Sequence, residues 1–124
     1  MTEWLHIIGF GEGELPTLPH ADAVIGPQRI IDRLQAASAT HARLIPWRSL
    51  KLDDMIAHIT ALRGTRTIML ASGDPLWFGM GATLTRHLAS DEFRVTPHAS
   101  SFQYAAARLR WPLQHVATLS AHAR

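Results

Sequence analysis

Thr67-Ile68-Met69-Leu70-Ala71-Ser72-Gly73-Asp74-Pro75-Leu76-Trp77-Phe78-Gly79-Met80-Gly81 decides the fold of this 124-residue chain. An apolar run stops at Ser-Gly-Asp-Pro, and a loop with two more glycines follows. Met80, Leu84 and Leu88 then recur at helical spacing. A buried strand that ends in a glycine-rich turn and feeds a helix is how α/β proteins build a ligand crevice at the carboxyl edge of a sheet.

The same alternation runs outward in both directions. Upstream, Leu5-His6-Ile7-Ile8 predicts a buried strand ending at Gly9, and Gly9-Phe10-Gly11-Glu12-Gly13 a flexible loop. Pro16 and Pro19 oppose a long helix after it. Ala23-Val24-Ile25 predicts a second strand closed by Gly26. Pro27 suits the first turn of a helix whose apolar stripe is Ile30, Ile31 and Leu34. Arg43-Leu44-Ile45 predicts a third strand, ended by Pro46. The spacing of Leu52, Met55, Ile56, Ile59 and Leu62 predicts a helix over 52–63. Asp53 and Asp54 at its start, Arg63 at its end and Gly64 beyond suit its dipole and C-cap. Downstream, Phe93-Arg94-Val95 predicts a strand. Ser100 or Ser101 then caps a helix with Phe102, Ala105, Ala106 and Leu109 as its core face. Trp111-Pro112 breaks that helix, and Val116 to Leu119 predicts a last strand. The whole is an α/β domain or lobe, a mostly parallel sheet flanked by helices.

Composition narrows the function. Hydrophobic residues make up 47% of the chain, yet no apolar run nears the roughly 20 residues of a membrane span. The first residues lack the features of a signal peptide. With no cysteine, disulfides and thiolate metal sites are excluded, which suits the cytoplasm. Net charge is +2, from scattered arginines without a basic run. That argues against nucleic acid as a partner and is compatible with a small anionic substrate.

Each candidate site has a structural alternative. Gly9-x-Gly11-x-Gly13 departs from the dinucleotide fingerprint, because its third glycine comes one position early and prolines follow. A tight strand-exit turn explains it. Asp74 suits a helix cap with Pro75 at the first position, while Gly73 lets a ligand approach the backbone. Gly79 and Gly81 fit a packed ligand or a close helix–strand contact equally. Ser100-Ser101 reads as capping. In a parallel sheet, however, turns after neighbouring strands converge, which would bring the pair to the Gly73 turn. Trp77 lies inside the glycine loop as a candidate ligand contact; Trp4, Trp47 and Trp111 read as packing residues. No His spacing marks a metal site, no G-x-S-x-G elbow is present, and no catalytic base stands out.

Together these pieces resemble the tetrapyrrole methylase family, the S-adenosylmethionine-dependent enzymes of corrin and sirohaem biosynthesis. The carrying residues are Gly9-Phe10-Gly11-Glu12-Gly13, Ala21-Asp22-Ala23-Val24-Ile25-Gly26, Leu70-Ala71-Ser72-Gly73-Asp74-Pro75 and Phe78-Gly79-Met80-Gly81. Ser100-Ser101-Phe102-Gln103-Tyr104, the Trp111-Pro112 break and Ser120-Ala121-His122-Ala123-Arg124 look like one branch, the precorrin-6Y methyltransferase (decarboxylating) type. Its corresponding lobe methylates carbon 5 of the corrin macrocycle.

The resemblance covers the chain as the first of two lobes, residues 1–124, with the second lobe absent from this chain. It implies that S-adenosyl-L-methionine binds between the lobes, against Ser72, Gly73, Asp74, Trp77, Ser100 and Ser101. It also implies a precorrin substrate in cobalamin (vitamin B12) biosynthesis, with His122 and Arg124 meeting its carboxylates, in a cytoplasmic homo-oligomer such as a homodimer. Four departures stand out. Glu12 replaces the family's usual proline, Glu14 to His20 replace a longer helix, Pro97-His98 replaces Pro-Gly, and Ala123 replaces a glycine. Methylation of another corrin carbon, a nucleotide-binding oxidoreductase and an inactive lobe with a structural role are the alternatives.

Overall fold

Leu5, Ile7, Ile25, Ile68, Met69 and Leu70 are almost wholly withdrawn from solvent. They lie on strands covered on both faces, as apolar runs without polar alternation require. A computed structural model describes residues 3–47, 51–77 and 80–119. It contains the strands β1 (Leu5–Phe10), β2 (Ala23–Gly26), β3 (Arg43–Pro46), β4 (Thr67–Ser72) and β5 (Phe93–Thr96). Every pairing is parallel, in the order β3-β2-β4-β1-β5. The helices are α1 (Gln28–Ala36), α2 (Leu52–Thr60), α3 (Met80–Leu84) and α4 (Ser101–Leu109), and a 3₁₀ turn spans Leu113–His115. The mostly parallel α/β sheet flanked by helices is therefore as expected.

Two apolar layers clasp the sheet. On one face Ile30, Ile31 and Leu34 of α1 cover Ile8, Phe10, Val24, Ile68 and Leu70. Leu15, Leu18 and Ala21 from the β1–β2 connection join them. That connection, residues 11–22, crosses β4 without forming a helix, in line with the two prolines inside it. On the other face Ile59 and Leu62, with Met80, Leu84 and Leu88, pack on Leu5, Ile7, Ile25 and Met69. Connections that step one way along the sheet lie on one face and those that step back lie on the other, the arrangement of right-handed crossovers.

Glu92 ties the amino edge of the sheet together. Its side chain is buried and accepts hydrogen bonds from Arg63 Nε (2.6 Å), Trp4 Nε1 (3.1 Å) and the Ala89 N–H (2.8 Å). The Arg63 guanidinium is the main reason its carboxyl is held down to about 2, with the Ala89 and Trp4 donors adding to it. So the turn after α2, the entry to β1 and the turn before β5 share one carboxylate.

Four expectations are corrected. β1 extends through Gly9 to Phe10. The absent Gly9 side chain lets the strand continue, since a Cβ there would collide with the Gly73 carbonyl, and with His98 Cβ at 2.8 Å. The second helix stops at Thr60 rather than Arg63. Tighter bonds from Leu62 to Ile59 and from Arg63 to Thr60 carry the chain to Gly64, whose φ is +92°. Val116 to Leu119 forms no strand; the edge strand β5 pairs with β1 alone. Only Ala106 of the predicted α4 face is buried; Ala105 is exposed and Leu109 is 54% exposed. Among the described residues, no helix is long and apolar enough to cross a membrane.

Candidate functional site

β1 and β4 are neighbours whose outgoing connections leave in opposite directions, toward β2 and toward β5. The gap above their carboxyl ends is the topological switch point, where open α/β sheets bind ligands. Phe10 and Ser72 end the two strands in register. The Gly73 N–H then donates to the Phe10 carbonyl at 2.7 Å. Gly73 turns with φ +69°, a backbone state that L side chains rarely adopt.

The loop after Gly73 is built on Asp74. Its Oδ1 accepts from the Leu76 N–H at 3.0 Å, and its carbonyl accepts from the Trp77 N–H at 3.1 Å. The aspartate therefore organises a turn (an Asx turn), and α3 is described over Met80–Leu84. Gly81 packs on Pro75: a Cβ would meet the Pro75 carbonyl at 2.6 Å. Of the two readings of that glycine, the close backbone contact is the one found. Phe78 and Gly79 lie outside the described residues.

The Ser100-Ser101 pair arrives from the far side. Ser100 is the N-cap of α4, and its N–H is accepted by the Gln103 side chain in a capping box. A Cβ on Gly73 would stand 3.7 Å from Ser100 Cα. The β4 and β5 exit turns thus lie in van der Waals contact, the convergence expected from a parallel sheet. His98 completes the knot. Its Nδ1 shares a hydrogen bond with the Ala99 carbonyl at 2.9 Å, and its ring occupies the space a Gly11 side chain would need, 2.7 Å from Cε1. Gly9 and Gly11 make room for protein packing, as a strand-exit turn requires.

Two cavities flank this knot. A larger one, of about 430 Å³, is lined by Asp74, Trp77, Ser100, Phe102, Gln103 and the extended segment from Leu113 to Thr118. A smaller one, of about 290 Å³, is lined by Phe10, Gly11, Glu12, Arg29, Ser72, Gly73, Ala99, Ser101 and Tyr104. The six residues singled out from sequence split evenly between them. Ser72, Gly73 and Ser101 face the smaller, while Asp74, Trp77 and Ser100 face the larger. His122 and Arg124 lie outside the described residues. Arg29 and Gln103 were not singled out. For Arg29 the available signal is its place in the first turn of α1, directly above the carboxyl end of β2. Among the described residues, no group of three or more histidine, aspartate or glutamate side chains is placed to hold a metal ion.

Residues 10–124 match the family Tetrapyrrole (Corrin/Porphyrin) Methylases. A precorrin-6Y C(5,15)-methyltransferase [decarboxylating] of Sinorhizobium sp. is 38% identical over the whole chain, which covers 31% of that relative. A cobalt-precorrin-7 C(5)-methyltransferase of Salmonella typhimurium is 29% identical, over 89% of this chain and 53% of its own length. The chain thus spans about a third to a half of the curated relatives it matches. Among solved structures, the cobalamin biosynthesis precorrin-6Y methylase of Archaeoglobus fulgidus superposes with a TM-score of 0.64 at 25% identity. The alignment covers 91% of this chain and 62% of that one. The methyltransferase CobJ shares the fold, with a TM-score of 0.67 at 23% identity over 92% of this chain and 54% of its own.

Proposed function

Because the chain belongs to the tetrapyrrole (corrin/porphyrin) methylase family, we propose that it is the first lobe of an S-adenosylmethionine-dependent methyltransferase. Its reaction is methylation of carbon 5 of a precorrin on the route to cobalamin. The observation that carries the reading is the contact between the Gly73 turn and Ser100 at the switch point, with a cavity on either side. The activities of the Sinorhizobium and Salmonella relatives suggest the substrate class and the carbon.

The larger cavity suits the cofactor. Trp77, Phe102, Leu113 and Val116 offer apolar and aromatic surface to a purine, and Asp74, Ser100, Gln103 and Thr118 offer polar groups. The mixture matches a ligand that is part nucleoside and part amino acid. Gly73 faces the smaller cavity, and the ligand in the larger one meets the turn at the next residue, Asp74. When bound, S-adenosylmethionine supplies an already activated methyl group. The protein's task is then alignment of donor carbon and acceptor carbon, which is worth effective molarities of roughly 10⁵–10⁸ M in well-oriented systems. Asp74 and Gln103, fixed by their own backbone hydrogen bonds, hold the ligand without reorganising.

The first-lobe reading also draws support from α4 and the segment after it. Leu109, Trp111 and Leu119 are 54%, 58% and 82% exposed, an apolar edge that a second lobe would cover. Cytoplasmic residence and assembly as a homodimer belong to the same reading. Titration with S-adenosylhomocysteine and with NADH, followed by tryptophan fluorescence with Trp77→Phe as the control for the other three tryptophans, tests it. Binding of the first alone is expected, and binding of NADH alone overturns it.

A further inference from the structure

We propose that Arg29 is a receptor for a carboxylate arm of the substrate, and that Glu12 occupies it as an internal stand-in until the substrate arrives. The inference rests on the tetrapyrrole reading above and adds to it a specificity-determining residue in the smaller cavity.

The argument begins with where α1 starts. β2 ends at Gly26, and Pro27 launches α1 immediately, so its first turn stands at the carboxyl edge, beside the switch point. Arg29 and Arg33 are four residues apart and share a helix face. Arg33 is committed: its Nη2 donates to the Gly13 carbonyl at 2.8 Å and anchors the glycine loop. Arg29 is differently placed. It lines the smaller cavity together with Glu12, Ser72, Ser101 and Tyr104. Among the described residues its polar side-chain contact is Nη1 to Glu12 Oε1 at 3.4 Å.

That contact has the properties of a place-holder. The two side chains are 59% and 90% exposed, and exposed pairs of this kind contribute little. A guanidinium offers five N–H donors in a planar fork matched to two carboxylate oxygens, and the observed geometry uses one of them at long range. A carboxylate entering the cavity would form the paired contact that Glu12 does not. It would also find the hydroxyls of Ser72, Ser101 and Tyr104 around it. Glu12 would then swing into solvent, where it already is for most of its surface. The exchange swaps one carboxylate for another on the same guanidinium, so the charge facing Arg29 is unchanged.

The test uses uroporphyrin, a fluorescent tetrapyrrole with eight carboxylates, titrated into the 124-residue chain. Four variants are compared: Arg29→Gln, Arg29→Lys, Glu12→Gln and Glu14→Gln. Glu14 is exposed and does not line the cavity, so Glu14→Gln makes the same charge change away from Arg29. Arg29→Gln is expected to weaken binding by about tenfold or more, the usual loss of a charged hydrogen-bonding partner. Arg29→Lys keeps the charge without the fork and should recover only part of it. Removing the competitor in Glu12→Gln should tighten binding roughly two- to fivefold, with Glu14→Gln changing it less. S-adenosylhomocysteine affinity should stay constant throughout. Unchanged porphyrin binding in Arg29→Gln, or equal effects of Glu12→Gln and Glu14→Gln, overturns this inference and leaves the methyltransferase reading standing. Porphyrin binding that is absent from the unaltered chain, together with absent S-adenosylhomocysteine binding, overturns both.

Discussion

Replacing Gly73 separates the two roles of its turn. At φ +69° an alanine would sit in the left-handed region, at a cost of about 1–2 kcal/mol. Its Cβ meets nothing closer than Ser100 Cα at 3.7 Å, an ordinary contact, so backbone strain is the whole penalty. For a domain of this size that corresponds to a fall in melting temperature of about 4–10 °C, readable by circular dichroism. Valine adds branched carbons against Ser100, whose Cα already stands 3.7 Å from the Cβ position, and so displaces a residue that lines the proposed cofactor cavity. Gly73→Val should therefore stay folded but lose S-adenosylhomocysteine affinity by about 10- to 100-fold, the scale of one to three kcal/mol of overpacking. Calorimetric titration of the wild type, Gly73→Ala and Gly73→Val provides the measurement. Unchanged affinity in a folded Gly73→Val would refute the placement of the ligand against this turn. An unchanged melting temperature in Gly73→Ala would refute the strain argument.

Other substitutions follow from the same contacts. Gly9→Ala drives a methyl group into the Gly73 carbonyl, His98 and Pro75; it should destabilise toward the upper end of the about 1–3 kcal/mol range for overpacking, more than Gly73→Ala in the same melt. Gln103→Ala removes the acceptor of the Ser100 N–H and should cost about 1 kcal/mol, seen as a lower denaturant midpoint. Acidification should act in two stages. His6 has its pKa lowered, first by burial and then by Arg94, against an opposing pull from Glu3; protonating it disfavours the fold, so stability begins to fall below about pH 6.5. Glu92, depressed to about 2, holds its full contribution above about pH 4.5 and loses it as pH falls toward 2. In Glu92→Gln the second stage should vanish from a plot of unfolding midpoint against pH, and a profile identical to wild type would count against the shared carboxylate.

β1, β2 and β4 are readable because each is a short apolar run that gives way to glycine, and the parallel sheet buries both faces of such runs; β3 and β5, at the edges, are only partly covered. Gly73 and Ser100 were expected to meet from topology alone, and they do. What failed has a common cause. Val116 to Leu119 has the composition of a strand but stays out of the sheet. Phe102, Ala105 and Leu109 have the spacing of a core face, yet none is buried, and Phe102 lines the larger cavity. An apolar pattern states that a surface seeks cover; it does not say what provides it. Arg29 escaped notice for a different reason. Its meaning depends on Glu12, seventeen residues away, and on a cavity that exists only once β1, β4 and α4 are in place.

The strand order also carries a consequence for synthesis. β1 lies between β4 and β5, and Leu5 pairs with Thr67 and with Phe93. On the ribosome, at about 5–20 residues per second, its first partner emerges some three to twelve seconds after it does. The unit β2-α1-β3 is local and can close early, but β1, buried at all but one of its positions, must wait. Leu-His-Ile-Ile-Gly-Phe is meanwhile an unpaired apolar segment of the nascent chain, where a chaperone would have most to shield. Pairing of β1 with β4 sets Phe10 against Gly73, and β5 adds to the other side of β1. The pairing that gives β1 its distant partner is thus also the one that assembles the site.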